Sequence, residues 1–67
     1  MNDIARNIKN ARRKSGLTQE QAALNIGYSI HSIRRWEQGE VNMSLQTAIQ
    51  LSRLYNVSLD EFALGNQ

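Results

Sequence analysis

The side chains best equipped for chemistry are cations, and they are unevenly placed. Arg6, Lys9, Arg12, Arg13, Lys14, Arg34 and Arg35 fall within residues 1–35 beside only Asp3 and Glu20, a net charge of +5. Residues 36–67 hold Arg53 against Glu37, Glu40, Asp60 and Glu61, a net of −3, so the overall +2 conceals a polarised molecule. Such polarity suits a polyanion on one side. Solvated surface charge is the plainer reading, and charge by itself does not separate the two.

Other chemistries lack their reagents. The 67-residue chain has no cysteine and one histidine, His31. Disulfide frameworks, thiolate metal sites and an all-histidine zinc centre are therefore out of reach, and no cofactor is implied. Nucleophile–base pairs and a Gly-rich phosphate loop are missing too, and the acids are scattered, so an enzyme is the least supported class. A chain this short makes one domain and buries only about 60% of its unfolded surface, which makes a catalytic pocket hard to build. Apolar runs span only a few residues, and MNDIARNIKN lacks the hydrophobic block of a signal peptide, so a soluble, cytoplasmic protein is expected.

The elements that would position the cations are punctuated clearly. Thr18 precedes helix formers and Gln21 follows three residues later, the reciprocal box that opens a helix. Ala22, Ala23 and Ile26 recur at helical spacing until Gly27 ends the run. Ser29 caps a second helix whose Ile33 and Trp36 share one face, with Gly39 placed for a left-handed C-terminal cap. Small Ala23 would let the two helices cross closely, as in a helix-turn-helix. An ordinary αα-hairpin within a bundle has the same pattern.

Around this pair, Asn2 or Asp3 opens a first helix with Ile4, Ile8 and Ala11 inward and Arg6, Lys9 and Arg13 on another face. Gly16 closes it, and Leu17 anchors the chain beneath the next helix. After the loop Glu40-Val41-Asn42-Met43, Ser44 caps a fourth helix with Leu45, Ala48, Leu51 and Tyr55 along one side, broadened by Ile49 and Leu54. Asn56 can take the left-handed conformation that ends it, Val57 plugs the gap, and Ser58 caps a short last helix carrying Leu59, Phe62 and Leu64. Asp60 and Glu61 suit its first turn, where the helix dipole favours anions. The expectation is all-α, with five helices over about 3–15, 18–26, 30–38, 45–55 and 58–64.

Four motifs in register give the chain a resemblance. Gly-Leu-Thr-Gln at 16–19, Ile-Gly-x-Ser at 26–29, Ile-x-x-Trp-Glu-x-Gly at 33–39 and Asn-Val-Ser-Leu-Asp-Glu-Phe at 56–62 resemble the Cro/CI-type, or XRE-family, helix-turn-helix of bacterial and phage transcription regulators. The likeness runs from about Ile4 to Leu64. It implies a five-helix, lambda-repressor-like domain, with the helix-turn-helix formed by helices 2 and 3 and helix 3 entering the major groove of double-stranded DNA.

Base contacts implied by the resemblance fall on Ile30, His31 and Arg35, with Ser32 and Arg34 close by. The residue pattern agrees in direction: with Ile33 and Trp36 inward, His31, Arg34, Arg35 and Gln38 must face out. Arginine matches guanine O6 and N7 best, at about 1–3 kcal/mol of discrimination per bidentate pair, and Arg35 leads. Ile30 departs from the polar residue common in the family; it can meet a thymine methyl or simply staple the turn. His31 can donate to a base or phosphate, or remain solvated.

Backbone contacts are expected from Thr18, Gln19 and Ser29, where helix N-termini attract phosphate, and from Arg13, Gln38 and Asn42; the resemblance implies the contacts of Gln19 and of the loop at 40–44. Glu40 would repel phosphate, and Met43 stands where many relatives have proline, which leaves Asn42 as the candidate in that loop. Arg12 and Glu37 match a family ion pair bridging helix 1 to the end of helix 3, and Trp36 matches a core position. Leu24, where relatives carry charge, is expected at the surface. Leu54, Leu59 and Leu64 are candidates for a weak homodimer contact, because one small module reads few base pairs and such domains work in pairs on inverted half-sites. The function implied is a sequence-specific regulator, a repressor occupying an operator. The rival is a protein-binding module of the same fold, an antitoxin or adaptor.

Overall fold

The computed structural model describes residues 3–65, and five helices account for their regular structure: α1 (Ile4–Lys14), α2 (Gln19–Ile26), α3 (Ile30–Glu37), α4 (Leu45–Tyr55) and α5 (Leu59–Leu64). Each expected helix is present. The expected bounds ran one residue into the caps at Asp3, Ser15, Thr18, Gln38 and Ser58, whose backbones lie outside the helices. Asn2 lies outside the described residues.

Local chemistry starts four of the five helices. Asp3 Oδ1 accepts from the Arg6 N–H at 3.0 Å, and Ser44 Oγ accepts from that of Thr47 at 3.1 Å. At α2 the box is complete: the Gln21 N–H donates to Thr18 Oγ1 at 3.1 Å, and the Thr18 N–H donates to Gln21 Oε1 at 2.9 Å. Ser29 caps α3 through the Ser32 N–H at 3.3 Å. Ser58 occupies the cap position of α5 without a side-chain cap bond. The six-residue α5 is instead held by packing on α1 and by Asn7, whose amide donates to the Phe62 carbonyl at 2.9 Å.

Two helix ends need left-handed backbone. Gly27 ends α2 at φ +76°, its N–H donating to the Ala23 carbonyl, a conformation that costs an L side chain about 1–2 kcal/mol. Asn56 ends α4 at φ 58°, and the Val57 N–H then reaches back to the Ser52 carbonyl at 2.9 Å.

The core draws on every helix: Ile8 and Ala11, Ala22 and Ala23, Ile33 and Trp36, Leu51 and Tyr55, and Phe62. Leu17, Ile26, Val41, Met43, Leu54 and Val57 pack around it. The buried alanines of α2 leave room for α3 and α4 to come close on either side.

Two apolar residues expected inside are outside. Ile4 is 42% exposed, and the buried face of α1 is Ala5, Ile8, Ala11 and Arg12. Leu45 is 70% exposed, and α4 buries Thr47, Leu51, Ser52 and Tyr55. Each is the opening residue of its helix, and the inward place in the same turn goes to a neighbour: Ala5 on α1, and on α4 Thr47, whose hydroxyl has polar partners. Ile4 and Leu45 instead rim an open apolar groove with Val41, Met43 and Leu59. Leu24 stands in solvent, as the resemblance implied.

Candidate nucleic-acid interface

The interface candidate is built on α3. Ile33 and Trp36 are 1% and 5% exposed, so the helix is pinned by one face, each side chain contributing about 1.5–3 kcal/mol by burial. His31, Arg34 and Arg35 are exposed on the opposite side, and Ile30 and Ser32 are half-buried near the start. Neither arginine is covered by neighbouring chain. Both guanidiniums can therefore meet a planar acceptor pair outside the molecule.

Trp36 orients the helix from below. Its ring meets Tyr28 edge-on, with centroids 5.3 Å apart and planes at 71°, a favoured aromatic geometry. The last turn of α3 is tightened by the Gln38 N–H, shared between the Arg34 and Arg35 carbonyls at 3.0 and 3.1 Å. The Glu40 N–H also reaches the Arg35 carbonyl, at 2.9 Å. The chain thus turns off α3 sharply and leaves Gln38 and Asn42 exposed.

Beneath α3 lies one charged node. Arg12 Nε donates to Glu37 Oε2 at 2.6 Å and Nη2 to Oε1 at 3.1 Å, while Nη1 donates to the Leu17 carbonyl at 2.8 Å. Gln19 Nε2 adds a bond to Glu37 Oε1 at 3.0 Å. The Glu37 side chain is 3% exposed and that of Arg12 10%, so the pair is largely removed from water, and each guanidinium nitrogen donates a hydrogen bond. The hydrogen bond to Glu37 raises the Arg12 pKa against the opposing effect of burial. The node joins the end of α1, the start of α2 and the end of α3.

This geometry divides the expected contact residues. His31, Arg34, Arg35, Gln38, Arg13, Thr18, Ser29 and Asn42 are at the surface. The hydroxyls of Thr18 and Ser29 are engaged in caps, and Ser32 Oγ lies 3.3 Å from Ser29 Oγ. The Gln19 amide is committed to Glu37, so its side chain braces the site as well as bordering it. Arg6 and Lys9 border a cleft between α1 and the end of α3, shared with Gln38 and Gly39 and with the carboxylates of Asp3 and Glu37. Of the apolar candidates, Leu54 packs against the core, whereas Leu59 and Leu64 are exposed.

Sequence reasoning passed over two residues. Tyr28 was read only as the variable place in the turn, yet its hydroxyl meets Thr47 Oγ1 at 2.9 Å. Thr47, hidden between apolar positions of α4, is buried and supplies that partner. A tyrosine beside a helix-ending glycine was the available signal.

Two short helices joined through Gly27, the second pinned by Ile33 and Trp36 with its cations outward, define a helix-turn-helix protein. Residues 8–62 match the helix-turn-helix family model, and the chain belongs to this XRE-type family. It is 34% identical over 62 residues to the HTH-type transcriptional regulator ImmR of Bacillus subtilis, covering 92% of this chain and 48% of that protein. The chain thus spans about half the length of ImmR. An uncharacterised HTH-type transcriptional regulator of Archaeoglobus fulgidus is 33% identical over 60 residues, covering 90% of this chain and 84% of its own length. The P22 c2 repressor, solved with synthetic operator 9T in the presence of Tl+, superposes with a TM-score of 0.86 at 23% identity, covering 98% of this chain and 100% of that one. That likeness establishes the five-helix, lambda-repressor-like fold.

Proposed function

We propose that the chain is a sequence-specific DNA-binding transcriptional regulator that acts as a repressor, occupying an operator with α3 in the major groove. One observation carries the reading: the exposed arginines of α3 stand on a helix whose opposite face is locked into the core. Rigid support is what direct readout needs, because a hydrogen bond to a base edge weakens steeply when misaligned. The relatives named as transcriptional regulators, and the c2 repressor held on its operator, support the same assignment.

In this reading Arg35 pairs with a guanine, with Arg34, His31, Ile30 and Ser32 around it. Thr18, Gln19, Arg13, Ser29, Gln38 and Asn42 lie along the phosphates. Two copies bind inverted half-sites about one helical turn apart, touching through the exposed Leu59 and Leu64 ends. The workplace is the cytoplasm, where the genome is; no helix among the described residues is long and apolar enough to cross a membrane.

Selection from randomised duplexes, followed by a salt series on the winner, tests the proposal. The expected result is a defined motif and a log–log salt slope near −0.9 per phosphate neutralised. No enrichment and no DNA binding at low salt would overturn it in favour of a protein-binding role.

A further inference from the structure

Tyr28 sits in the α2–α3 turn, and its three attachments fall on three helices. Its N–H donates to the Ala23 carbonyl of α2 at 3.0 Å. Its ring rests edge-on against Trp36 of α3, and its hydroxyl lies 2.9 Å from Thr47 Oγ1 in the first turn of α4, where either oxygen can donate. Thr47 is itself held: its Oγ1 accepts from Ser44 Oγ at 3.0 Å, and its N–H donates to Ser44 Oγ at 3.1 Å. The tyrosine is therefore fastened to a capped helix end, not to a free surface group.

Ser44 ends the loop that carries Asn42, so this network joins the base-facing helix to a phosphate-facing loop. We infer that Tyr28 is a positioning residue for base recognition: it fixes the first turn of α3, with Ile30, His31 and Ser32, relative to the Asn42–Ser44 segment. The inference rests on α3 being the reading helix. Base-edge hydrogen bonds depend on alignment, whereas phosphate attraction is long-ranged and tolerant. Loosening the tie should thus cost discrimination and leave non-specific binding alone.

Tyr28→Phe keeps the ring on Trp36 and removes only the hydroxyl; Thr47→Val removes its partner, and Thr47→Ser retains an Oγ. Dissociation constants for the selected duplex and for a scrambled one, across a salt series, should show both hydroxyl-deleting variants weakening the selected duplex about 3- to 10-fold, the worth of one hydrogen bond. Scrambled-duplex affinity and salt slope should stay as in the parent, Thr47→Ser should restore most of the loss, and the double variant should be no worse than the poorer single. Equal loss on both duplexes, or none on either, overturns the inference. Amide exchange in the free protein reads the tie without DNA: Ser32 and Ile33 should exchange faster in Tyr28→Phe, with α1 and α5 unchanged. Failure of the parent to discriminate between duplexes would refute α3 as the reading helix, and unchanged exchange would refute the tie.

Discussion

Arg12 and Glu37, 25 residues apart in sequence, face each other through two hydrogen bonds of 2.6 and 3.1 Å, and Gln19 takes up part of the same carboxylate. The outer face of α3 is thereby braced from the inside by a largely buried ion pair. A buried pair of this kind ties three helix ends into one geometry, and its net contribution to stability is small compared with the cost of halving it.

Removing one partner should accordingly be severe. Glu37→Ala leaves the Arg12 guanidinium buried beside an empty space, and urea unfolding should report a loss of about 3–5 kcal/mol. The double change Arg12→Met with Glu37→Leu should lose much less than the two single changes added together.

Arg35 and Arg13 should separate reading from holding. Arg35→Ala is expected to remove about 1–3 kcal/mol of preference for the selected duplex over its variants at one base pair. Arg13→Ala should weaken all duplexes alike and reduce the salt slope by about 1, as for one lost phosphate contact. Binding isotherms at several salt concentrations distinguish the two patterns.

Gly27 is open to a local test. A Cβ there would meet nothing within 4 Å, so only its φ of +76° resists a side chain. Gly27→Ala should cost about 1–2 kcal/mol by thermal or urea unfolding, and Gly27→Asn less, since asparagine tolerates this conformation. Equal costs would mean that space, not backbone, is the constraint.

The Tyr55 hydroxyl is buried with no hydrogen-bond partner, and burial, aided by the Glu37 carboxylate, pushes its pKa from 10.0 up to about 12. Between those values the unfolded chain releases a proton that the native state keeps, so stability falls as pH rises through that window. Tyr55→Phe should be neutral or stabilising at pH 7, because no bond is lost. The difference in unfolding free energy between the parent and Tyr55→Phe should shift against the parent from pH 10 to 12, and a constant difference would contradict the assignment.

The exposed end of α5 should matter only when two copies are bound. Leu64→Ser is expected to lower affinity for an inverted-repeat duplex while leaving a single half-site unchanged, as read by gel shift with both lengths.

The punctuation of this fold was legible in the sequence because a cap is a contact over three or four residues. Thr18 with Gln21, Ser29, Ser44, Gly27 and Asn56 each act on their own neighbours, so residue type and spacing were enough. The outward face of α3 followed likewise from Ile33 and Trp36 and the helical period. Where each helix came to rest was another matter, since that depends on which faces meet. Tertiary packing left Ile4 and Leu45 on a groove rim, put Thr47 inside opposite Tyr28, turned Gln19 onto Glu37 and stranded the Tyr55 hydroxyl. Those outcomes belong to pairs 18 or more residues apart, or to the edges of the core, where no local period records the partner.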